Sequence, residues 1–193
     1  REEEYSLISY LSRVQYGFKN KYLVTGSIRV DGSSRFGTNN KYGYFPSISA
    51  AWKINQEDFL IDSKTISDLK LRASYGVTGN FEIGNYTWQG LLGSTNYGSN
   101  IGLSPVIPRN ENLTWEKTYS TNIGLNLGLF NNKISLELDY YNSNTKDLLL
   151  ELPVSSTSGY SSSLQNIGEV NNKGYEINLG VRNQENEFKW DLG

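Results

Sequence analysis

The chain has 193 residues, 37% of them hydrophobic, and its mean hydropathy of −0.52 means that apolar surface must arise from alternating side chains and not from apolar blocks. No apolar run approaches the ~18 to 20 residues of a membrane helix, which excludes helical membrane proteins but not membrane β-barrels. The net charge of −2 argues against nucleic-acid binding, and the absence of Cys and His excludes disulfides, thiolate metal sites and His-dependent enzymes within this stretch.

Aromatic residues make up 13% of the chain, with 14 Tyr and 4 Trp. Such a share is expected where rings line the two interfaces of a membrane. The core and surface of a soluble β-sandwich could also accommodate these rings. Aromatic content therefore leaves both classes of protein open.

The first predicted element is a β-hairpin with the three-residue turn Lys19-Asn20-Lys21. Phe18 then lies opposite Tyr22, and the following pairs alternate between two faces. The apolar face contains the pairs Tyr16/Val24 and Tyr10/Val30. The other face, which is polar enough for a water-filled lumen, contains the pairs Arg13/Ser27, Gln15/Thr25 and Leu11/Arg29.

Alternation predicts two further strands, at about residues 44–54 and 68–78. The connector between them is long enough to include a helical turn. On the first strand, one face carries the side chains of Ile48, Ala50, Trp52 and Ile54. On the second strand, the apolar face carries Leu69, Leu71, Ala73, Tyr75 and Val77. Its polar face carries Lys70, Arg72, Ser74 and Thr78.

The central hairpin, within residues 113–141, turns at Asn131-Asn132, two residues that readily adopt positive φ. Phe130 then lies opposite Lys133, and this fixes the register of both strands. The apolar face contains the pairs Leu129/Ile134, Leu127/Leu136, Leu125/Leu138 and Ile123/Tyr140. The opposite face contains Gly128/Ser135, Asn126/Glu137, Gly124/Asp139 and Asn122/Tyr141.

A last hairpin is predicted across a short turn at residues 183–186. Its apolar pairs would be Val181/Phe188, Leu179/Trp190 and Ile177/Leu192, and its inward pairs Asn178/Asp191 and Gly180/Lys189. The chain thus contains about eight strands, and we expect an all-β, antiparallel, up-and-down arrangement.

Connection lengths alternate along this meander. Short turns near Asn20, Asn131 and Gln184 alternate with long loops at 31–41, 79–112 and 142–171, although residues 147–152 could extend a strand above the membrane. Because every second connection of an up-and-down sheet lies on the same rim, the long loops share one rim. Outer-membrane barrels have this asymmetry, with short periplasmic turns and long extracellular loops. The pattern favours a transmembrane β-barrel.

Two alternatives remain open at this point. Eight strands can close into a self-contained outer-membrane barrel, an adhesin or a hydrolase, although the inward residues Gly124 and Gly128 would fill so narrow a barrel poorly. A secreted β-sandwich binding module would also show alternating strands, but its Greek-key links have no reason to sort loops by length.

Several motifs along almost the whole chain follow the order in which they occur in one known family. They are RVQY at 13–16, KYLVT at 21–25, RVDGSSRFG at 29–37, FPSISAAW at 45–52, LKLRASYGVTGN at 69–80, LTWEK at 113–117, DYYN at 139–142, TKDLL at 145–149 and NIGEVNNKGYEI at 166–177. In these motifs the chain resembles the SusC/RagA family of TonB-linked outer-membrane transporters.

The resemblance implies a 22-stranded barrel of the bacterial outer membrane, of which this chain is a later part without the plug, the signal segment or the N-terminal regions. Family members import oligosaccharides or peptides and are not enzymes. The implied partners are a SusD-like surface lipoprotein that closes the barrel from outside, the TonB complex acting through the absent N-terminal parts, outer-membrane lipid and the substrate. No nucleic acid, cofactor or metal is implied.

Two groups of residues are candidates for contact with a solute. Inward charges would line the lumen: Arg13, Arg29, Arg72, Glu137, Asp139 and Lys189. Aromatic rings stack on sugar faces and amides bind hydroxyls, so the substrate-binding candidates lie in the long loops: Tyr86, Trp88, Tyr97, Asn100, Trp115 and Tyr160. A solvated lumen wall is the competing explanation for the charges, and loop packing or contact with the lipoprotein is the competing explanation for the rings.

We predict that the purified protein that contains this chain has an intact mass far above 21.8 kDa and requires detergent. Eight strands with two open edges cannot stand alone in lipid, because backbone groups must be paired there. Intact mass spectrometry of the membrane fraction measures both properties. A protein of about that lower mass that is soluble without detergent would instead be a binding module.

Overall fold

The computed structural model describes residues 3–183 and 190–192. Its strands, in chain order, are β1 (Leu7–Phe18), β2 (Tyr22–Ser33), β3 (Tyr42–Lys53), β4 (Ile66–Asn80), β5 (Leu91–Tyr97), β6 (Asn100–Ile107), β7 (Glu116–Leu129), β8 (Ile134–Lys146), β9 (Leu149–Pro153), β10 (Ser162–Asn166), β11 (Glu169–Asn183) and β12 (Trp190–Leu192). Single turns of 3-10 helix span Ile54–Gln56, Thr87–Gln89 and Ser156–Ser158. No helix in the described part of the chain has the length and hydropathy needed to cross a membrane.

Eight of these strands form one antiparallel sheet in the order β1-β2-β3-β4-β7-β8-β11-β12. The predicted all-β, up-and-down arrangement of about eight strands is therefore confirmed. β1 and β12 lie at the two edges, so the described strands form an open arc and not a self-contained eight-stranded barrel. The sandwich alternative also fails, because β5–β6 and β9–β10 are small separate hairpins and not a second sheet.

The registers of the first and central hairpins are those that the sequence predicts. Phe18 pairs with Tyr22 and Leu129 with Ile134, and every predicted pair along both hairpins is present. In the central turn Asn131 and Asn132 have φ values of 57° and 59°, and the Lys133 amide donates to the Phe130 carbonyl at 3.2 Å. Asparagine tolerates this left-handed region because its side chain is short and polar.

The predicted register of the last hairpin is wrong. Leu192 pairs with Val181 and not with Ile177, and Trp190 pairs with Asn183 and not with Leu179. β11 continues beyond its pairing with β8, as far as Asn183, which pairs with Trp190. The shift is an even number of residues, so each paired side chain keeps its predicted face. The predicted partners Phe188 and Lys189 lie outside the described residues.

Alternation across the eight strands separates two faces. The outer face carries apolar residues such as Tyr10, Val24, Ile48, Leu71, Leu125, Leu138 and Ile177, and the polar face carries residues such as Arg13, Ser27, Ser49, Arg72, Asn126, Glu137 and Asn178. On the outer face Ile177 is 72% exposed and Val14 is 69% exposed. A continuous exposed apolar surface of this kind requires an apolar environment such as lipid hydrocarbon.

Aromatic rings mark both ends of the outer face. At the short-turn end, Phe18, Tyr22 and Trp52 stack across three strands with ring centroids 6.4 and 6.2 Å apart. At the long-loop end lie Tyr10 and Tyr44, each eight residues away from a ring of the first row. Eight residues of strand measure about 26 Å before tilt, close to the apolar band of about 25 Å in outer-membrane barrels.

Two of the predicted long loops contain short hairpins of their own. Residues 79–112, predicted as loop throughout, contain the hairpin β5–β6, and β4 extends to Asn80. Within 142–171 the predicted strand extension at residues 147–152 does not continue a strand of the main sheet: β8 ends at Lys146, and β9 pairs with β10 in a separate hairpin. Because β8 continues to Lys146 and β11 begins at Glu169, the connection between them is shorter than predicted.

The described buried apolar side chains gather at the long-loop end of the sheet. The buried cluster consists of Phe36, Phe45, Val77, Ile83, Leu113 and Trp115. A single sheet with one apolar and one polar face cannot bury its own side chains. Four members of the cluster come from the loops, and Phe45 of β3 and Val77 of β4 come from strand ends, so loops and strand ends form the hydrophobic core together.

A polar cluster fastens the short-turn end of the sheet. The Glu57 carboxylate accepts hydrogen bonds from the Tyr22 hydroxyl at 2.7 Å, the Trp52 indole at 2.9 Å and the Lys21 ammonium at 2.9 Å. These bonds, led by that of Tyr22, lower the pKa of Glu57 to about 2. The same bond from Lys21 raises the pKa of its ammonium. The first turn is thereby tied to the connector after β3.

We predict that Glu57→Gln lowers the unfolding temperature of the full-length protein at pH 7 but not at about pH 2. The folded-state pKa lies below the usual 4.5, so the stabilisation is complete above pH 4.5 and is lost as the pH falls towards 2. Thermal unfolding of wild type and variant across this range measures the effect. Glu82→Gln, at an exposed glutamate, is the control, and an equal loss for both variants at every pH would contradict the prediction.

Candidate functional site

The predicted lumen-lining charges share one face of the sheet. Arg13 pairs with Ser27, and Arg29 lies beside Phe45 with its guanidinium 5.5 Å from the ring centroid. Arg29 also donates to the Asp31 carboxylate at 2.7 Å. Lys189 lies outside the described residues. The sequence therefore predicted the face of the described charges, but not their partners.

A charged network crosses the polar face of three neighbouring strands. Arg72 on β4 donates to Asp139 on β8 at 2.6 Å, although β7 lies between these strands. Arg72 also donates to the side chain of Asn126 at 2.9 Å, and Asn126 donates to Glu137 at 2.6 Å. The predicted lumen residues Arg72, Glu137 and Asp139 are thus parts of a single network.

Gly124 makes the contact across β7 sterically feasible. It lies in the same row as Arg72 and Asp139, directly between them. A Cβ atom at this position would lie 2.6 Å from Nε of Arg72 and would also collide with the Asp139 carboxylate. The missing side chain leaves the gap through which the two long side chains meet.

Hydroxyl pairs continue the polar face towards the long loops. Ser27 and Ser47 bond at 2.7 Å, Thr118 and Thr145 at 2.8 Å, and Ser120 and Ser143 at 2.9 Å. Together with the charged network, these pairs line the face with hydrogen-bond donors and acceptors. No three His, Cys, Asp or Glu side chains among residues 3–183 and 190–192 come together as a metal site.

The three long loops form one packed layer above the sheet, called here the loop layer (residues 34–41, 81–115 and 147–168). Asn166 joins two of the loops, because its side chain accepts from the Thr114 amide at 2.9 Å and donates to the Thr114 and Asp147 carbonyls at 2.8 and 3.0 Å. Trp115 donates to the Lys41 carbonyl at 3.2 Å, and Arg35 donates to Asn85 at 3.0 Å. The layer is therefore held by specific polar contacts as well as by its apolar cluster.

Sequence reasoning assigned no role to Asn166, although it opens one of the family motifs. Its importance depends on three backbone groups that come from distant parts of the chain. An asparagine two residues before a turn residue such as Gly168, which has φ of 91°, gives a weak signal for a loop anchor. Nothing in the sequence identifies the loop to which it bonds.

The substrate-binding candidates occupy different environments in the loop layer. Trp115 is 1% exposed in the centre of the cluster, so loop packing accounts for its ring. Trp88 is half-buried against the same cluster, whereas Tyr86 is 45% exposed with φ of 62°. Two other candidates lie at the tip of the β5–β6 hairpin, where Tyr97 pairs with exposed Asn100. Half-buried Tyr160 lies in the β9–β10 connection.

A family of known proteins matches this arrangement. Residues 4–193 match the family described as TonB dependent receptor-like, beta-barrel. The chain belongs to this family. Members of this TonB-dependent receptor family are outer-membrane barrel proteins.

Among curated receptors, TonB-dependent receptor P26 of Formosa agariphila is 44% identical over 191 residues, which are 96% of this chain and 19% of that protein. TonB-dependent receptor SusC of Bacteroides thetaiotaomicron is 38% identical, over 97% of this chain and 20% of that protein. The chain thus spans about a fifth of the length of these receptors. The SusC relationship agrees with the family that the motifs indicated.

Solved structures give the same assignment. The RagAB peptide transporter superposes with a TM-score of 0.86 at 40% identity, over 95% of this chain and 20% of that chain. The siderophore receptor PirA from Pseudomonas aeruginosa superposes with a TM-score of 0.62 at 15% identity, over 97% of this chain and 33% of that chain. PirA therefore supports the barrel fold alone, and RagAB supports the closer relationship.

We predict that Gly124→Ala destabilises the full-length receptor by about 1 kcal/mol, because Arg72 and Asp139 must move aside and lose their ion pair. The added methyl group would separate Arg72 from Asp139. Gly26→Ala is the matched control, since a Cβ there meets nothing within 4 Å. Guanidinium unfolding in detergent measures the difference. Equal stability of the two variants would show that the receptor does not depend on this contact.

Proposed function

We propose that this chain forms part of the wall and of the outer loops of an importer for oligosaccharides or peptides. TonB drives the transport, and a SusD-like lipoprotein closes the barrel from outside. The long loops lie outside the cell and the polar face lines the lumen beside the plug. The observation that carries the proposal is the likeness to the RagAB peptide transporter, at 40% identity and a TM-score of 0.86.

The two faces of the sheet support an import role. A polar face lined by paired charges and hydroxyl groups can exchange hydrogen bonds with a passing solute, whereas the middle of the outer face is apolar. Arg13 and Glu137 are exposed on the polar face and available for such contacts, and Lys189 belongs to the same proposed group. Arg72 and Asp139 are occupied with each other, so we assign them to the shape of the wall.

The loop layer would supply the solute and lipoprotein contacts. Tyr86, Trp88, Tyr160 and the hairpin-tip residues Tyr97 and Asn100 remain our candidates for solute binding, because aromatic rings and amides suit both sugar and peptide groups. Trp115 would act indirectly, by packing the loops into one body. A rigid loop layer also offers a defined surface on which a lipoprotein can close.

The test is purification of the tagged full-length receptor from its own cells in mild detergent. Mass spectrometry then identifies the proteins that remain with it and the solute that it releases on denaturation. We expect a surface lipoprotein together with bound oligosaccharides or peptides. Recovery of the receptor without a lipoprotein and without solute, with unchanged nutrient uptake after deletion of its gene, would contradict the proposal.

A matched pair of variants tests the loop contacts. We expect Tyr86→Ala to reduce uptake of the identified solute several-fold, because an exposed ring of the loop layer is removed. Tyr10→Ala removes the same group from the outer face, where 62% of the residue is exposed, and should leave uptake unchanged at equal receptor levels. Equal uptake by the two variants would remove Tyr86 from the solute contacts.

A further inference from the structure

The outer face changes from apolar to cationic at the long-loop end of β7, β8 and β11. Its last apolar row is formed by Ile123, Tyr140 and Tyr175, and the two tyrosine rings lie 5.1 Å apart. Three polar rows follow on the same face: Thr121/Asn142/Lys173, Tyr119/Asn144/Asn171 and Lys117/Lys146/Glu169. We name Lys117, Lys146 and Lys173, with Asn142, Asn144 and Asn171, the lysine patch.

The placement of these side chains on the outer face follows from uninterrupted registers. β7 and β8 pair without a shift from Lys117/Lys146 to Leu129/Ile134. Thr118 and Thr145, one position away from the lysine pair, bond to each other on the polar face at 2.8 Å. Because neighbouring residues of a strand point to opposite faces, the lysine pair lies on the outer face.

The lysine patch carries more positive charge than its own residues neutralise. Lys117 lies directly opposite Lys146, an arrangement of like charges that destabilises a sheet unless an anion is present. Glu169 lies 3.9 Å from the Lys146 ammonium and also accepts a hydrogen bond from Asn144. Among the described residues, no carboxylate lies within 4.0 Å of the Lys117 or Lys173 ammonium.

An apolar groove lies directly below the lysine patch. Its outer-face side chains are Leu71, Ile123, Leu125, Leu138, Tyr140 and Ile177. Lys173 is two residues from Tyr175 along β11, which is about 7 Å. A groove for hydrocarbon and a cluster of cations are thus separated by about the distance between the acyl chains and the phosphate of a lipid.

We propose that the lysine patch and the groove bind one lipid of the outer leaflet whose headgroup carries phosphate. An acyl chain occupies the groove, Lys117, Lys146 and Lys173 bind phosphate oxygens, and the asparagine amides bind headgroup hydroxyls. Ammonium–phosphate hydrogen bonds are charge-assisted and therefore strong. The inference rests on the proposed orientation, in which the long loops and this end of the outer face lie outside the cell.

The site is local and does not continue along the arc. On β1, β2 and β3 the row above Tyr10/Val30/Tyr44 consists of Ile8, Gly32 and Tyr42 and carries no charge. A general requirement for interfacial cations would place lysine there as well. The restriction to β7, β8 and β11, above the groove, is what indicates a specific lipid.

The test is native mass spectrometry of the full-length receptor in detergent with a bis-phosphorylated lipid A, and with the same lipid after removal of its phosphates. We expect the phosphorylated form to bind more tightly, and the Lys117→Gln/Lys146→Gln/Lys173→Gln variant to lose about fivefold in affinity for each lysine. The corresponding triple Lys→Arg variant should bind like wild type. A Lys53→Gln/Lys64→Gln/Lys70→Gln variant removes the same charge elsewhere and should also bind like wild type.

Equal binding by wild type and the Lys→Gln variant of the patch, or equal binding of the two lipid forms, would overturn the inference. Heat-dependent mobility on SDS gels shows whether each variant has folded. Labelling of an Asn100→Cys variant in intact cells with a membrane-impermeant maleimide tests the orientation separately. A receptor that is labelled and recruits its lipoprotein, but lacks phosphate-dependent lipid binding, would refute this inference alone; an unlabelled one would also refute the proposed orientation.

Discussion

Continuous backbone pairing in one register is the constraint on which the rest of this structure depends. β7 pairs with β4 on one side and with β8 on the other, and neither ladder slips between Leu69 and Asn80 or between Lys117 and Leu129. A slip of one residue would exchange the two faces and bring arginine and glutamate into lipid. The same constraint places Arg72, Gly124 and Asp139 in one row, which permits the charged network.

The sequence predicted most of the sheet because short turns fix registers by themselves. The turn Asn131-Asn132 restricts the central hairpin to one register, and the turn Lys19-Asn20-Lys21 does the same for the first hairpin. At the last hairpin, several registers keep apolar residues on the same face. Alternation cannot distinguish registers that differ by two or four residues, so the pairing of Leu192 depends on how far β11 extends.

The candidate site was less predictable than the sheet, because its contacts join residues that are distant in the chain. The face of Arg72 and of Asp139 follows from alternation, but their ion pair depends on the empty position at Gly124. Similarly, Trp115 looks like an exposed binding residue when only its loop is considered. Its burial depends on Phe36, Phe45 and other side chains that the remaining loops bring together.

The shared core of the loop layer also constrains how such a receptor can evolve. Phe36, Ile83 and Leu113 come from two separate loops, and Asn166 of the third loop bonds to Thr114 of the second. A substitution that reshapes one loop changes the packing of the others. A new loop shape therefore requires coordinated changes in several loops, and a single loop transplanted between receptors would lack the neighbours that hold it in place.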